Sequence, residues 1–120
     1  MSRLINLTPH AVTIRLNEAD IIIKPTEPAA RVGLKTYRSS YRIASVWTEN
    51  NIEIPVHVPL FGDVEYLPDP QEGVIYITSM IVASSLTGKE RGDVMGLDTG
   101  PSAIRDGDGN IVAVRGLVKY

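Results

Sequence analysis

Short runs in which apolar and polar residues alternate recur along this chain, and they constrain the fold more than any other feature. In residues 11–16, Val12, Ile14 and Leu16 alternate with polar neighbours. A period of two is the signature of a strand with one buried face. Pro and Gly interrupt these runs, so the sequence predicts many short strands joined by turns. The predicted strands are residues 4–7, 11–16, 21–23, 30–34, 41–48, 52–60, 74–77 and 111–118.

One short helix is predicted over residues 80–86. Thr78 or Ser79 is a suitable N-cap, and Gly88 is a suitable stop. Polar segments at 35–40 and 89–105 are predicted to be loops, the first of them mobile. The predicted fold class is α+β, with a mostly antiparallel β-sheet or partial barrel and one short helix. A chain of 120 residues fits a single domain, which we assign to residues 1–120.

Charge and composition exclude several classes of function. The net charge of -2 argues against non-specific nucleic-acid binding, which depends on attraction to phosphates. The sequence contains no Cys, so disulfides, thiolate metal sites and cysteine nucleophiles are excluded. No apolar run approaches the roughly 18 residues that a membrane span needs. We therefore expect a cytoplasmic protein that makes no membrane contact.

The two histidines do not form a recognisable catalytic motif. His10 follows Thr8-Pro9 at a turn, where it could donate to a phosphate, act as a general base, or stabilise the turn itself. His57 lies within an alternating run and is expected to face solvent. Neither histidine has the His-x-Ser/Thr spacing of two-histidine phosphodiesterases. A phosphodiesterase using His10 therefore stays only as an alternative.

Metal and cofactor motifs are also missing from the sequence. The segment 106–110 resembles the first half of a calcium loop, but Ile111 and Leu117 occupy the positions that require Gly and Glu. A hairpin turn is the better interpretation, because Asp, Gly and Asn tolerate positive φ. No phosphate-binding glycine loop and no nucleophile elbow is present. We predict no metal site, no cofactor and no catalytic residue, which favours a binding protein over an enzyme.

The predicted loop 89–105 holds the most suggestive polar chemistry. Its arginines could clamp phosphate, and its aspartates could bind ribose hydroxyls. It holds Lys89, Arg91, Asp93, Asp98, Thr99 and Arg105. An equally good interpretation is an internal Arg-Asp pair that holds a long loop against the sheet. Both interpretations remain open at this point, and they are compatible.

The chain resembles a group of small, mostly uncharacterised bacteriophage and prophage proteins. These open with Asn-Leu-Thr-Pro-His and an alternating strand, as residues 6–14 do here, and they share further segments along most of their length. The matching segments here are 29–32, 62–64 before Leu67-Pro68, 70–79, 91–94 and 99–106. The similarity weakens between residues 35 and 53.

The resemblance implies a phage protein that counters host defence in the host cytoplasm. Some small phage proteins sequester cyclic nucleotide or cyclic ADP-ribose-like immune signals without cleaving them, usually as oligomers, and we expect the same here. Tyr66, Tyr76 or Trp47 would stack on a base. The predicted ligand contacts are His10, Arg31, Arg91, Asp93, Asp98, Thr99 and Arg105. The main alternative is a structural or protein-interaction module, either a minor virion component or an inhibitor of a host enzyme.

Overall fold

The computed structural model describes residues 2–17, 19–38, 45–56 and 58–120. Its contacts group the chain into two compact units, one of Met1–Arg31 with Val64–Tyr120 and one of Val32–Asp63. The described residues form one helix, α1 (Met80–Ser85), and a set of short strands. The strands are β1 (Arg3–Asn6), β2 (Val12–Leu16), β3 (Ala19–Ile23), β4 (Arg31–Arg38), β5 (Ser45–Trp47), β6 (Glu53–Pro55), β7 (Val58–Glu65), β8 (Val74–Ile77), β9 (Val94–Leu97), β10 (Ile104–Arg105), β11 (Ile111–Ala113) and β12 (Leu117–Val118).

A four-stranded sheet with the order β1-β8-β9-β12 lies at the centre of the first unit. The pairs β1–β8 and β8–β9 are parallel, whereas β9–β12 is antiparallel. Strand β8 occupies an interior position, and its Tyr76 and Ile77 are completely buried. The predicted fold class is confirmed, because the chain is mostly β with one short helix, and its sheets are small and rich in antiparallel pairs. Each sheet of the described residues is open, which favours a sheet over a partial barrel.

The helix forms where its capping residues predict it. Ser79 is the N-cap, and its hydroxyl accepts a hydrogen bond from the backbone N–H of Val82 at 3.3 Å. The helix connects the parallel strands β8 and β9, and it buries Val82 and Ala83. Gly96 of β9 lies beneath it, where an added Cβ would be 3.2 Å from the ring of Tyr120 and 3.9 Å from Ala83. Close packing of the helix and the C-terminal residue on β9 therefore depends on a small residue at position 96.

A hairpin of β2 and β3 covers a second part of the same unit. Its register places Val12 opposite Ile23 and Ile14 opposite Ile21. Ile14 also forms a parallel bridge with Val114, which follows β11. Val12, Ile14 and Val114 are buried together, with Ile23, Leu97 and Leu117 packed against them. This hydrophobic cluster joins the two ends of the chain.

The prediction of a loop over residues 89–105 was wrong in its middle, because β9 (Val94–Leu97) lies within this segment. Val94 and Gly96 are buried, and they pair with Tyr76 of β8 and Val118 of β12 respectively. The four-residue run Val-Met-Gly-Leu is too short to show a period, and its glycine resembles a loop signal. Burial between β8 and β12 overrides that local preference.

Further boundaries differ from the predictions, and the predicted strand 52–60 is divided into β6 and β7, the second of which continues to Glu65. Residues 35–38 continue β4, although a mobile loop was expected there. The predicted last strand, 111–118, is interrupted after β11 and resumes at Leu117. The bridge of Val114 to Ile14 directs the chain away from β10 before β12 joins β9. Residues 41–44 of the predicted strand 41–48, and His57, lie outside the described residues.

The second unit contains two strand pairs. Strand β4 pairs with β7, and β5 pairs with β6 in an antiparallel hairpin. In the part of the chain that the structure describes, no helix is long and apolar enough to cross a membrane.

Candidate binding groove

A buried asparagine organises the turn that carries His10. The side chain of Asn6 is fully buried at the end of β1. Its Nδ2 donates to the carbonyl groups of His10 and Ile23 at 2.7 and 2.9 Å. Its Oδ1 accepts from the backbone N–H and the hydroxyl of Thr8 at 2.8 and 2.6 Å. Because a buried amide is stable only when its polar atoms are paired, this network holds residues 6–10 in one conformation.

The same segment forms one wall of a groove in the first unit. Val114 is held between residues of β2, since its N–H donates to the carbonyl of Thr13 at 3.0 Å and its carbonyl accepts from Arg15 at 2.8 Å. On the N-terminal side of this parallel bridge the two segments enclose a cavity of about 250 Å³. Its lining residues are Thr8, Pro9, His10, Ala11, Val12, Thr13, Leu97, Ile111, Val112, Ala113 and Val114. The groove therefore depends on a contact between the two ends of the chain.

The walls of the groove are mostly apolar, and the side chains of Thr13 and His10 are available for hydrogen bonds. The hydroxyl of Thr8 is already bound to Asn6 and to the carbonyl of His10. The Thr13 hydroxyl and the His10 imidazole make no hydrogen bond to any residue that the structure describes. A flat group with an apolar face and polar edges would match this surface, because a concave apolar site with a few polar groups is typical of small-molecule binding.

Arg91 and Asp93 form a closed pair elsewhere in this unit. Nε and Nη2 of Arg91 donate to the two carboxylate oxygens of Asp93 at 2.9 and 3.0 Å, and each side chain is only 16% exposed. Nη2 also donates to the carbonyl of Pro68 at 2.8 Å. The hydrogen bonds from Arg91 lower the pKa of Asp93, and Asp93 raises the pKa of Arg91. This geometry is that of an internal Arg-Asp pair, the interpretation that was the alternative to a phosphate clamp.

Arg31 has a different set of partners. It forms an ion pair with Glu65 at 2.9 Å, in which the two side chains are 67% and 56% exposed. Its guanidinium carbon also lies 5.4 Å from the ring centroid of Tyr66. Neither Arg31 nor Tyr66 lines the groove.

Arg105 does not line the groove, but its partner in the neighbouring strand does. In the β10–β11 pair it is opposite Ile111, which lines the groove. The register of this pair shifts between Ile104 and Arg105, so the regular alternation of faces is interrupted at Arg105. Its Nη1 donates to the carbonyl of Gly109 at 2.7 Å at an exposed position.

Asp98 and Thr99 follow Leu97, a groove residue, but they do not line the groove. The carboxylate of Asp98 accepts from the N–H of Gly100 at 3.2 Å and from the hydroxyl of Ser102 at 3.1 Å. The N–H of Thr99 donates to the carbonyl of Leu97. These contacts shape the connection between β9 and β10. The seven predicted ligand residues are therefore distributed over several places, and among them hydrogen bonds join only the side chains of Arg91 and Asp93.

The hairpin turn after β10 is confirmed. Asp106 Oδ1 accepts from the N–H groups of Asp108 and Asn110 at 2.9 and 3.0 Å, and Gly109 has φ of 84°. The carboxylate is thus used within the turn. Among the described residues, no group of three or more His, Cys, Asp or Glu side chains is placed to hold a metal ion.

Two of the three candidate stacking residues are exposed. Tyr76 is fully buried and donates to the carbonyl of Asp69 at 3.2 Å, so it is unavailable to a ligand and that expectation was wrong. Trp47 and Tyr66 are 62% and 57% exposed.

Sequence reasoning missed Asn6 and most of the groove wall. A polar residue at the end of an apolar strand, followed by Thr-Pro-His, was the available signal for Asn6. The segment 111–114 carried no such signal, because it resembles an ordinary strand. Comparisons with known proteins add no evidence on the site: no family model matches this chain, and no curated protein or solved structure is significantly similar to it.

Proposed function

We propose that this chain is a phage-encoded protein that binds a small nucleotide-type immune signal in the groove and sequesters it without cleavage. The observation that carries the proposal is the 250 Å³ cavity beside the fixed segment Thr8–His10. A host-cytoplasmic location, an anti-defence role and a homo-oligomeric state belong to the same proposal, and they rest on the resemblance to phage proteins.

The groove suits the base of such a ligand. Pockets that enclose drug-sized ligands are about 300 Å³ or larger, so a cavity of about 250 Å³ would take one heterocyclic base and leave the rest of the ligand at the rim. Val12 and Val112 would contact the faces of the ring. Thr13 and His10 would supply hydrogen bonds to its edge, which is how proteins recognise unstacked bases.

Arg105 is the cation we assign to the phosphate. Its strand partner Ile111 lines the groove, and the hydrogen bond that its Nη1 donates to the Gly109 carbonyl is at an exposed position. Arg91 is unsuited to this role because Asp93 and Pro68 already occupy its guanidinium. The proposal therefore retains His10 and Arg105 as direct ligand contacts and assigns the Arg91–Asp93 pair to stability.

Calorimetry against cyclic dinucleotides, cyclic ADP-ribose isomers and mononucleotides tests the proposal. Val112→Trp should abolish binding by filling the groove from an exposed position, whereas Leu16→Trp, the same substitution at an exposed residue outside the groove, should leave it unchanged. Ligand recovered after heat denaturation should be chemically intact. A converted product would favour the phosphodiesterase alternative, and equal affinity in both variants would move the site away from the groove.

The second unit favours a protein-interaction module as a second candidate function. In the β5–β6 hairpin, Val46 is opposite Ile54, and Ile52 lies two residues before Ile54. These three side chains and Trp47 are about half exposed or more. An isolated two-stranded hairpin is marginally stable, and exposed apolar clusters often mark contacts with a partner protein.

Photo-crosslinking from position 47 in infected cells separates the two candidates. A single virion or host protein crosslinked from position 47, and not from the exposed control position Glu72, would support the interaction module. Recovery of uncrosslinked chain at both positions, together with ligand binding in the groove, would reject it.

A further inference from the structure

The groove opens where the parallel contact between β2 and Val114 stops. Val114 donates to the carbonyl of Thr13 and accepts from the N–H of Arg15. A regular parallel ladder would repeat this pattern two residues earlier, with Val112 bound to the carbonyl of Ala11 and the N–H of Thr13. Between these described residues neither hydrogen bond forms. Ala11, Thr13 and Val112 all line the groove, so the cavity takes the place of that missing backbone pair.

The hydrogen-bond pattern of β2 shows which of its backbone groups face the groove. The carbonyl of Thr13 binds Val114, so Thr13 directs its backbone away from β3, whereas Val12 is opposite Ile23 of β3 and directs its backbone towards it. In a planar trans peptide the carbonyl and the N–H point in opposite directions. The Ala11 carbonyl and the Thr13 N–H therefore both point away from β3, towards the groove. Among the described residues, neither group has a hydrogen-bond partner.

We propose, on the basis of the function proposed above, that this strand edge recognises adenine as the base of the ligand. The Ala11 carbonyl accepts a hydrogen bond from the exocyclic amine N6, and the Thr13 N–H donates to the ring nitrogen N1. A carbonyl and an N–H two residues later on one strand edge match a donor and an acceptor that lie side by side, as they would in a strand ladder. The ring nitrogen N7 then lies beyond N6, on the side of His10, whose residue also lines the groove.

Adenine is favoured over the other common bases because its base-pairing edge has one donor and one acceptor, followed by a C–H group. Guanine, cytosine and uracil each present a third polar group on that edge. In the groove this third group would lie beside walls that are mostly apolar. A polar group that loses its water without gaining a partner costs affinity. The single donor and single acceptor of β2 therefore satisfy the whole edge of adenine and only part of the edge of the other bases.

An extended peptide fits the same edge less well. Strand pairing needs several consecutive backbone groups, but Val114 already occupies β2 after Thr13, and β2 begins only at Val12. The carbonyl of His10, the residue before Ala11, is bound by two side chains. The edge therefore has room for one donor and acceptor pair, which is the size of a base edge and not of a strand.

Calorimetry with nucleotides that differ only in the base tests the assignment. AMP should bind more tightly than GMP, CMP and UMP, and cyclic di-AMP more tightly than cyclic di-GMP. In 1-deaza-AMP a C–H group replaces N1, and this analogue should bind about tenfold more weakly than AMP. A guanine nucleotide that bound as tightly, and lost binding in Val112→Trp, would overturn the adenine assignment and leave the proposed function standing. Binding of no nucleotide would reject both, and binding of short extended peptides instead would make the edge a peptide site.

An amide-to-ester replacement at Thr13 tests the backbone donor itself, because it replaces the N–H by oxygen and keeps the side chain. Since that N–H has no partner among the described residues, the melting temperature should change little. The affinity for AMP should fall about tenfold. The difference in affinity between AMP and 1-deaza-AMP should disappear in this variant, because the two changes remove the two halves of one hydrogen bond. If the ester variant kept the wild-type difference, the Thr13 N–H would not be the group that binds N1, and the proposal would be overturned.

Discussion

The Arg91–Asp93 pair and the groove beside His10 are both polar features of the first unit, but they use their polar groups in opposite ways. Arg91 and Asp93 bind each other and the Pro68 carbonyl, and both are mostly buried. In the groove, the imidazole of His10 and the hydroxyl of Thr13 lie beside an apolar wall and make no hydrogen bond with described residues. Residue types suited to a ligand therefore mark a binding site only when the fold leaves them unpaired.

Substitution of the buried Asn6 is expected to have the largest effect, because Asn6 holds the segment that forms one wall of the groove. Asn6→Ala removes four hydrogen bonds and leaves buried partners unsatisfied, so the free energy of unfolding should fall by about 3 kcal/mol or more. Urea denaturation measures this change, with the exposed Asn50→Ala as the control. Wild-type stability in Asn6→Ala would mean that the segment Thr8–His10 is not held by this network.

The Arg91 side of the comparison is tested by Arg91→Ala. Loss of three charge-assisted hydrogen bonds, two to Asp93 and one to the Pro68 carbonyl, should lower the free energy of unfolding by about 2 kcal/mol. Ligand affinity should not change. Lys89→Ala, a neighbouring exposed cation, should alter stability by less than about 0.5 kcal/mol. If Arg91→Ala instead abolished binding at unchanged stability, the pair would be the ligand site.

Local signals made part of this fold predictable. Strand β8 was predicted with its observed bounds because an apolar run stands between turn residues, and Ser79 was among the predicted caps because N-capping depends on adjacent residues. Strand β9 was missed because its pairing with β8 and β12 is not local. The parallel direction of β1, β8 and β9 also depends on contacts that a linear pattern does not record.

The candidate site was predictable only at one wall. His10 was selected from its turn context, and Asn6, which positions it, is four residues earlier in the sequence. The opposite wall comes from 111–114, which meets β2 through the Ile14–Val114 bridge. No sequence pattern connects segments at opposite ends of a chain. The emphasis on 89–105 followed from its charges, since exposure and pairing of charges are properties of the folded state.

Arg105→Ala tests the groove, and its expected effect on ligand affinity is smaller. Removing one charge-assisted contact to a phosphate costs about 1.5 kcal/mol or slightly more, which is about tenfold in affinity. Because Arg105 is exposed and its side chain bonds only to Gly109 among the described residues, thermal stability should remain close to wild type. Calorimetry and a melting curve on the same sample distinguish this result from unfolding. Unchanged affinity would place the phosphate elsewhere on the groove rim.

The pH dependence of stability gives the smallest and most specific test of the Arg91–Asp93 pair. Arg91 lowers the folded-state pKa of Asp93 below the unfolded value of about 3.9. The pair therefore stabilises the fold fully above about pH 4, and this contribution is lost as the pH falls through the folded-state pKa. The difference in unfolding free energy between wild type and Asp93→Asn should shrink over that acidic range. In an Arg91→Ala background the same difference should depend much less on pH, because the largest cause of the lowered pKa of Asp93 is absent. A pH dependence that persisted without Arg91 would assign the effect to another partner of Asp93 and would break the contrast between the closed pair and the open groove.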